Sequence, residues 1–363
     1  MKNNGFLSHA DSASLNKNLI INYIKSKGIV SQTQIWEDVN LSRASVSQII
    51  KQLTEMDLIK VAGIGESKGG RRRLALTLNY DSKQLIIYDW MTKQLCVTNL
   101  NGVVISAEPF GFDSGTSPEQ FCQILYQKTE ILLKKINVDS SQIFAMGLVF
   151  PGLVDTIGGK VLYSLEMNWN DAEIFDMTQK MFRFPVYIDR TANMILLGEY
   201  SRLQDSSIRN ALLILSDNTR LGSALLQDGK IIHGGNNMNG ELGHIRVADS
   251  PVCNCGKKGC LEAKVIEILS HGYDTASLSL AVEYIGIAIS TAVNIFDPCL
   301  ILLYGDIFEK LSDRLLSRLN SYIFDNIVNS DSRNLKITYS FLGRSASITG
   351  MCENIFRKSF PIV

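Results

Sequence analysis

The chain has no net charge: 36 lysines and arginines balance 36 aspartates and glutamates. No whole-chain charge therefore marks a polyanionic or membrane partner. It also has no uninterrupted apolar run near the ~18 residues that cross a bilayer. The opening MKNNGFLSHA lacks the apolar core of a secretion signal. These absences point to a cytoplasmic protein with no membrane partner. Cysteine is sparse, seven in 363 residues, and Cys96, Cys122, Cys299 and Cys352 are scattered through apolar segments. That usage suits a reducing compartment better than a disulfide framework. What is plentiful is apolar residue, 45% of the chain, enough for packed cores. The length is that of two or three folding units.

The zero charge conceals a split. Eleven basic and seven acidic residues lie before residue 83, leaving 25 and 29 beyond it, so a basic module precedes an acidic body. Leu19, Ile20, Tyr23 and Ile24 recur at helical spacing in a first helix, Leu15 to Lys27, that Gly28 stops; the residues before it are polar and expected to fray. Ser31 caps a second short helix and Ser42 a third, on which Val46, Ile49, Ile50 and Leu53 face a core. Helix, helix, turn and a third helix with a small polar N-terminal face is helix-turn-helix geometry, with the third helix in the major groove. Arg43, Ser45, Ser47 and Gln48 are the candidate base contacts. A strand, the tip ESKGGRRR and a second strand carrying Leu74, Leu76 and Leu78 then read as a β-hairpin wing. Lys68, Arg71, Arg72 and Arg73 of its tip suit phosphates or a narrow minor groove. Each feature alone has a plain reading, an amphipathic helix or a solvated turn; their order favours double-stranded DNA as partner.

From 83 onward, two successive sets of hairpin strands, each followed by alternating helices and strands, imply a two-lobed α/β body with a cleft. The lobes are expected at about 83–190 and 191–363, with the last helix free to return to the first lobe, and residues 1–82 form the DNA-binding module and linker.

The densest cluster of soft ligands lies between Glu241 and Glu262. His244, Cys253, Cys255 and Cys260 fall within seventeen residues, and Gly256 and Gly259 allow the tight turns that aim sulfurs inward. One imidazole and three thiolates close a tetrahedral zinc site with no open position, so the metal is expected to be structural. A disulfide and three buried thiols are the alternatives.

GELGH at 240–244 with CNCGKKGCLE at 253–262, and Gly69-Gly70-Arg71-Arg72 in the wing, resemble the repressor branch of the ROK family, whose name joins repressors, open reading frames and sugar kinases. The resemblance covers nearly the whole chain. It implies two actin-like lobes of the ribonuclease-H type, a homodimer or larger homo-oligomer, and a sugar or sugar phosphate held between the lobes. It carries effector contacts onto Glu241, His244 and Glu262, with His244 also on zinc, and places Gly152 and Asn168 along the same cleft. Glu241 and Glu262 have a supporting or surface role as the alternative, and Gly152 and Asn168 ordinary turn chemistry.

The departures argue against an enzyme. Where family kinases carry Asn-Asp-Ala-Asn this chain has Arg190-Thr191-Ala192-Asn193, and a threonine hydroxyl is no base at neutral pH. The first phosphate loop reads Asp89-Trp90-Met91-Thr92 in place of paired glycines, and the second keeps only Gly222. Arg190 either favours a phosphorylated or acidic ligand or forms a salt bridge that leaves the cleft unable to take any sugar. The expected function is a transcriptional regulator of carbohydrate genes. The rivals are an ATP-dependent sugar kinase with a fused DNA-binding arm and a repressor governed by a protein partner.

Overall fold

A computed structural model describes residues 9–64, 74–113, 115–217 and 220–361, the side chains of residues 9–12 and 64 aside. The N-terminal module contains α1 (His9–Lys27), β1 (Val30–Ser31), α2 (Gln32–Asp38), α3 (Arg43–Glu55), β2 (Ile59–Ile64) and β3 (Leu74–Leu78). Helix α1 starts at His9, ahead of the Leu15 start expected, while residues 1–8, also expected to fray, lie outside the described residues. Apolar periodicity begins only where a helix has a core to face, and here the helix runs on ahead of it. The Ser31 hydroxyl and the Gln34 side chain close a capping box on α2, and Ser42 accepts from Ser45 N at the start of α3. Val46, Ile49, Ile50 and Leu53 are buried on one face of α3. The wing is the antiparallel pair β2–β3, extended by β1 on the far side of β3.

The body is a duplication. Its first half runs β4 (Gln84–Asp89), β5 (Gln94–Asn99), β6 (Val104–Pro109), α4 (Pro118–Lys135), β7 (Ile143–Phe150), β8 (Leu153–Asp155), β9 (Lys160–Ser164), β10 (Trp169–Ala172), α5 (Ile174–Met181) and β11 (Val186–Arg190). The second runs α6 (Thr191–Ser201), β12 (Ala211–Asp217), β13 (Arg220–Gln227), β14 (Lys230–Ile231), α7 (Leu261–Leu269), α8 (Thr275–Phe296), β15 (Leu300–Gly305), α9 (Asp306–Glu309), α10 (Asp313–Asp325), β16 (Lys336–Tyr339) and α11 (Ala346–Ser359). The sheets, in the orders β11-β7-β4-β5-β6 and β14-β13-β12-β15-β16, each join three parallel strands to an antiparallel hairpin. The small sheet β10-β9-β8 and helix α5 gave no distinct sequence signal, being short and irregularly patterned.

Helices α6 and α11 lie between the two large sheets. One core joins Leu85, Ile87 and Val149 of the first sheet, Leu213 and Leu302 of the second, and Leu196 and Met351 of the two helices. The helices cross through glycine: a Cβ on Gly198 would stand 2.0 Å from the Ala346 carbonyl oxygen, and one on Gly350 only 1.8 Å from that of Met194. Helix α8 has the length and composition to cross a membrane, but 56% of its apolar window is buried in the body, and it packs against α7 and α10.

The last helix also reaches the N-terminal module. Phe356 and Phe360 enter the same core as Ile20, Ile24 and Leu53. Asn18 Nδ2 donates to the Pro361 carbonyl at 3.0 Å and Asn22 Nδ2 to that of Phe360 at 2.9 Å. Lys25 pairs with Glu353 across the junction. The expected linker, Asn79 to Ser82, is tied to both sides: Asn79 Nδ2 donates to Asp57 at 2.9 Å, and Asp81 accepts from Asn99 Nδ2 at 2.7 Å.

Candidate functional site

The parallel strands β11, β7 and β4 end side by side, which sets Arg190, Pro151-Gly152 and Trp90 along the floor of a cavity of about 480 Å³ between the lobes. Glu241, His244, Glu262, Gly152 and Arg190 all line it, so five of the six expected effector residues converge. Asn168 is not among the lining residues; it is an exposed turn position with φ of 53°. Gly152 has φ of +87°, and a Cβ there would stand 2.2 Å from the Tyr163 carbonyl oxygen, so only glycine fits.

Arg190 makes a salt bridge, as one of the two sequence readings anticipated. Its Nη2 donates to Glu241 Oε1 at 2.9 Å and its Nη1 to the Asn239 carbonyl. The pair does not fill the cleft, and Arg190 Nε and Thr191 Oγ1 are buried without a partner among the described residues. Asp189 is fully buried and accepts from Arg190 N (2.8 Å), Asn193 Nδ2 (2.9 Å) and Asn354 Nδ2 (3.3 Å). It lies just ahead of the positive end of α6, whose N-cap Arg190 has no side-chain cap bond, and does not line the cavity. Glu262 accepts from Leu221 N at 3.0 Å, and burial raises its carboxyl above the usual range against the pull of that N–H.

Two contacts missed by sequence reasoning strap one lobe to the other. Arg220 of β13 pairs with Glu166 from the turn between β9 and β10, and Asn237 Nδ2 donates to Asp155 Oδ1 at 3.0 Å. Arg220 lies in the eroded phosphate loop, so its position was a signal; Glu166 and Asn237 sit in turns with no pattern of their own.

The metal-capable loop follows from local chemistry. His244 closes a short 3-10 turn, Cys260 is the N-cap of α7, and isolated bridges Arg246–Cys260 and Val252–Lys258 fold the segment between back on itself. A Cβ on Gly259 would stand 1.7 Å from the Ala248 carbonyl oxygen. The ligand atoms of His244, Cys253, Cys255 and Cys260 lie within 4.8 Å of one another and could hold a metal ion. Cys255 and Cys260 sulfurs are 3.6 Å apart, as are Cys253 Sγ and His244 Nδ1. A tetrahedral ion with arms of about 2.3 Å to sulfur and 2.0 Å to nitrogen sets these edges at roughly 3.8 and 3.5 Å. The donor set fits. His244 Nε2 is left 3.7 Å from Glu241 Oε2, so one ring faces both the metal-capable cluster and the cleft.

On the N-terminal module, Ser47 and Gln48 stand exposed on α3 beside Ala44, an exposed methyl that sequence reading passed over. The Arg43 guanidinium lies 4.2 Å from the centre of the Trp36 ring, and Ser45 Oγ is 2.8 Å from Ser42 Oγ, which ties it into the cap. Lys68, Arg71, Arg72 and Arg73 lie outside the described residues.

These features define a winged helix-turn-helix joined to a duplicated, actin-like sugar-kinase-type body with a metal-capable loop at its cleft. Residues 15–60 match a winged helix-turn-helix DNA-binding family and residues 92–268 match the ROK family, so the chain carries a ROK family domain behind a winged helix-turn-helix. The xylose repressor of Caldicellulosiruptor bescii is 26% identical over 98% of this chain and 99% of its own. In fold, the chain is similar to the crystal structure of a ROK family transcriptional regulator described as a homologue of the Escherichia coli Mlc protein, with a TM-score of 0.81 and 19% identity over 96% of this chain and 98% of that one. The ROK hexokinase of Thermus thermophilus matches with a TM-score of 0.62 and 19% identity, over 76% of this chain and 98% of its own. The fold is thus shared by a transcriptional regulator and a hexokinase.

Proposed function

We propose that the protein is a DNA-binding repressor of carbohydrate-metabolism genes, cytoplasmic, homodimeric or larger, whose grip on a double-stranded operator is set by a sugar in the cleft. The observation that carries this is the pairing of a complete helix-turn-helix with a kinase-like cleft whose base position holds Thr191 and whose first phosphate loop holds Trp90 and Met91. Thr191 cannot take a proton from a sugar hydroxyl. ADP release on a hexose and pentose panel should not exceed the sugar-free rate, and turnover at an ordinary enzymatic rate of about 1 per second or more would end this reading.

The metal in the His244, Cys253, Cys255, Cys260 set is zinc, since three thiolates and an imidazole at tetrahedral spacing are its preferred structural donors. Bound there, it supplies rigidity to the loop from Ile245 to Cys260 that presents Glu241 and Glu262. Effector contacts come from Glu241, His244, Glu262, Gly152 and Arg190.

Coupling to DNA has a material path. Helix α6 starts on the cavity floor at Arg190, α11 crosses it at Gly198 and Gly350, and α11 ends inside the core of the DNA-binding module. Glu199 of α6 also accepts from Phe341 N (3.2 Å) and Leu342 N (2.9 Å) just ahead of α11. A change in lobe closure that moves α6 therefore moves the module, and in a dimer it changes the spacing of two recognition helices.

Base contacts come from Arg43, Ser47 and Gln48, with Ser45 steering the first turn of the helix. On an operator found by genome-wide binding, Gln48→Ala should cost about 1–3 kcal/mol and relax preference at one base pair. Removing one of Arg71, Arg72 or Arg73 should weaken all sequences alike and flatten the salt slope by roughly one. Fluorescence anisotropy on operator and scrambled duplexes separates the two, and equal losses from both classes of variant would refute the assignment.

A further inference from the structure

We propose that the cleft takes an uncharged ligand of two sugar rings, with the second ring lying before Trp90 and Met91 where a kinase would cradle phosphate. This rests on the effector reading above and narrows it to a class of ligand.

Charge excludes the phosphate ester first. Arg190 is matched by Glu241 and Arg220 by Glu166, while Glu262 lines the same cavity and Lys257 lies on the exposed metal-capable loop. The positive end of α6 already faces Asp189. An incoming dianion would meet carboxylates and no unmatched buried arginine. The floor itself is closed: Arg190 and Thr191 are 8% and 5% exposed, and Arg190 Nε and Thr191 Oγ1 lie below its surface without a partner among the described residues.

Size and lining then ask for more than one ring. Asp189, Val149 and Asp89 are register partners across three strands, so Arg190 and Trp90, which follow the outer two, stand about 10 Å apart at the usual strand spacing. The volume of about 480 Å³ lies within the range of sites for ligands larger than a single sugar. The stretch beyond Arg190 is walled by Trp90, Met91, Leu215 and Leu221, apolar surface that suits the C–H face of a sugar and offers phosphate nothing. Glycine at these positions would open the backbone to phosphate; a half-buried indole replaces that opening with a flat wall.

The test uses the full-length, zinc-loaded protein and isothermal titration. Cellobiose, xylobiose, maltose and diacetylchitobiose are compared with glucose, xylose and N-acetylglucosamine, and with glucose 6-phosphate and N-acetylglucosamine 6-phosphate. At least one disaccharide should bind tenfold or more tightly than its own monosaccharide, and no phosphate ester should exceed its parent sugar. Trp90→Ala should bring the disaccharide-to-monosaccharide ratio towards one, with Trp90→Phe keeping part of it. Saturation-transfer NMR on the unmodified protein, which is independent of any folding defect in the variants, should show both rings receiving magnetisation. Equal affinity for one and two rings, transfer to a single ring, or preference for a phosphate ester overturns this inference and leaves the effector reading standing. Silence from every sugar overturns both.

Discussion

Cys260→Ser is expected to empty the metal site and unfold the loop from Ile245 to Cys260. Cys260 is 1% exposed, begins α7 and sits 3.6 Å from the Cys255 sulfur. A serine hydroxyl is not a thiolate donor, so the set falls to three. Structural zinc in small folds contributes of the order of 10 kcal/mol of apparent binding free energy at neutral pH. Even a fraction of that should lower the melting transition clearly and expose this loop to hydrogen exchange. Zinc content by elemental analysis should fall from one per chain to near zero, and chelation of the unmodified protein should reproduce the loss and reverse on adding zinc. Cys255→Ser should likewise release zinc and weaken the response to sugar. The DNA-binding module lies elsewhere, so operator affinity without sugar should persist. Full zinc occupancy with an unchanged melt in Cys260→Ser would dispose of the metal assignment.

Glu353→Ala is expected to loosen the DNA-binding module from the body. The carboxylate receives Lys25 of α1 and, at 2.7 Å, Arg357 of its own helix, and its side chain is 13% exposed. Burial alone would raise its carboxyl, but the two cations outweigh that and hold it below the usual range. Lys25 has one anion to set against its own burial, so its amine is drawn below the usual lysine range. The two directions describe one junction seen from unequal partners. Removing Glu353 strands Lys25 against the Phe356 ring, 3.9 Å from its centre, at a cost of about 2–3 kcal/mol, near the lower end for a broken buried pair. The expected readout is a separate, earlier unfolding transition for the N-terminal module and a smaller effect of sugar on operator affinity. A single unshifted transition with full induction would show that α11 does not couple the two parts. Because Glu353's depressed value makes its contribution present above about pH 4.3, the ordinary glutamate value, and lost as pH falls through the depressed one, the junction should hold at neutral pH and weaken only in acid.

Several features were legible before any coordinates because their causes are local. The caps at Ser31 and Ser42 need only a hydroxyl and the next few backbone N–H groups. The metal-capable set needs four donors within one loop. The duplicated pattern was readable from two runs of hairpin and alternating strands, because the hairpins join near neighbours, whereas the parallel pairs β4–β7 and β12–β15 join distant ones. Thr191 and Trp90 spoke through what they replaced. Asn168 was misplaced for the opposite reason: a left-handed turn residue beside a buried tryptophan looks the same in sequence whether it faces a cleft or solvent.

Sequence by itself thus determined that this is a basic winged-helix module on a two-lobed body, with a soft-donor loop and a cleft that carries Arg190, Thr191 and Trp90. Tertiary structure decided what those parts do to each other. It gave Arg190 to Glu241, set Glu166 against Arg220 across the lobes, laid α11 between the two sheets, and put Phe356 and Phe360 into a core with Ile20. Asn18 and Pro361 stand 343 positions apart. A partner that distant leaves no period or spacing in the chain, since only the packing of everything between brings the two together.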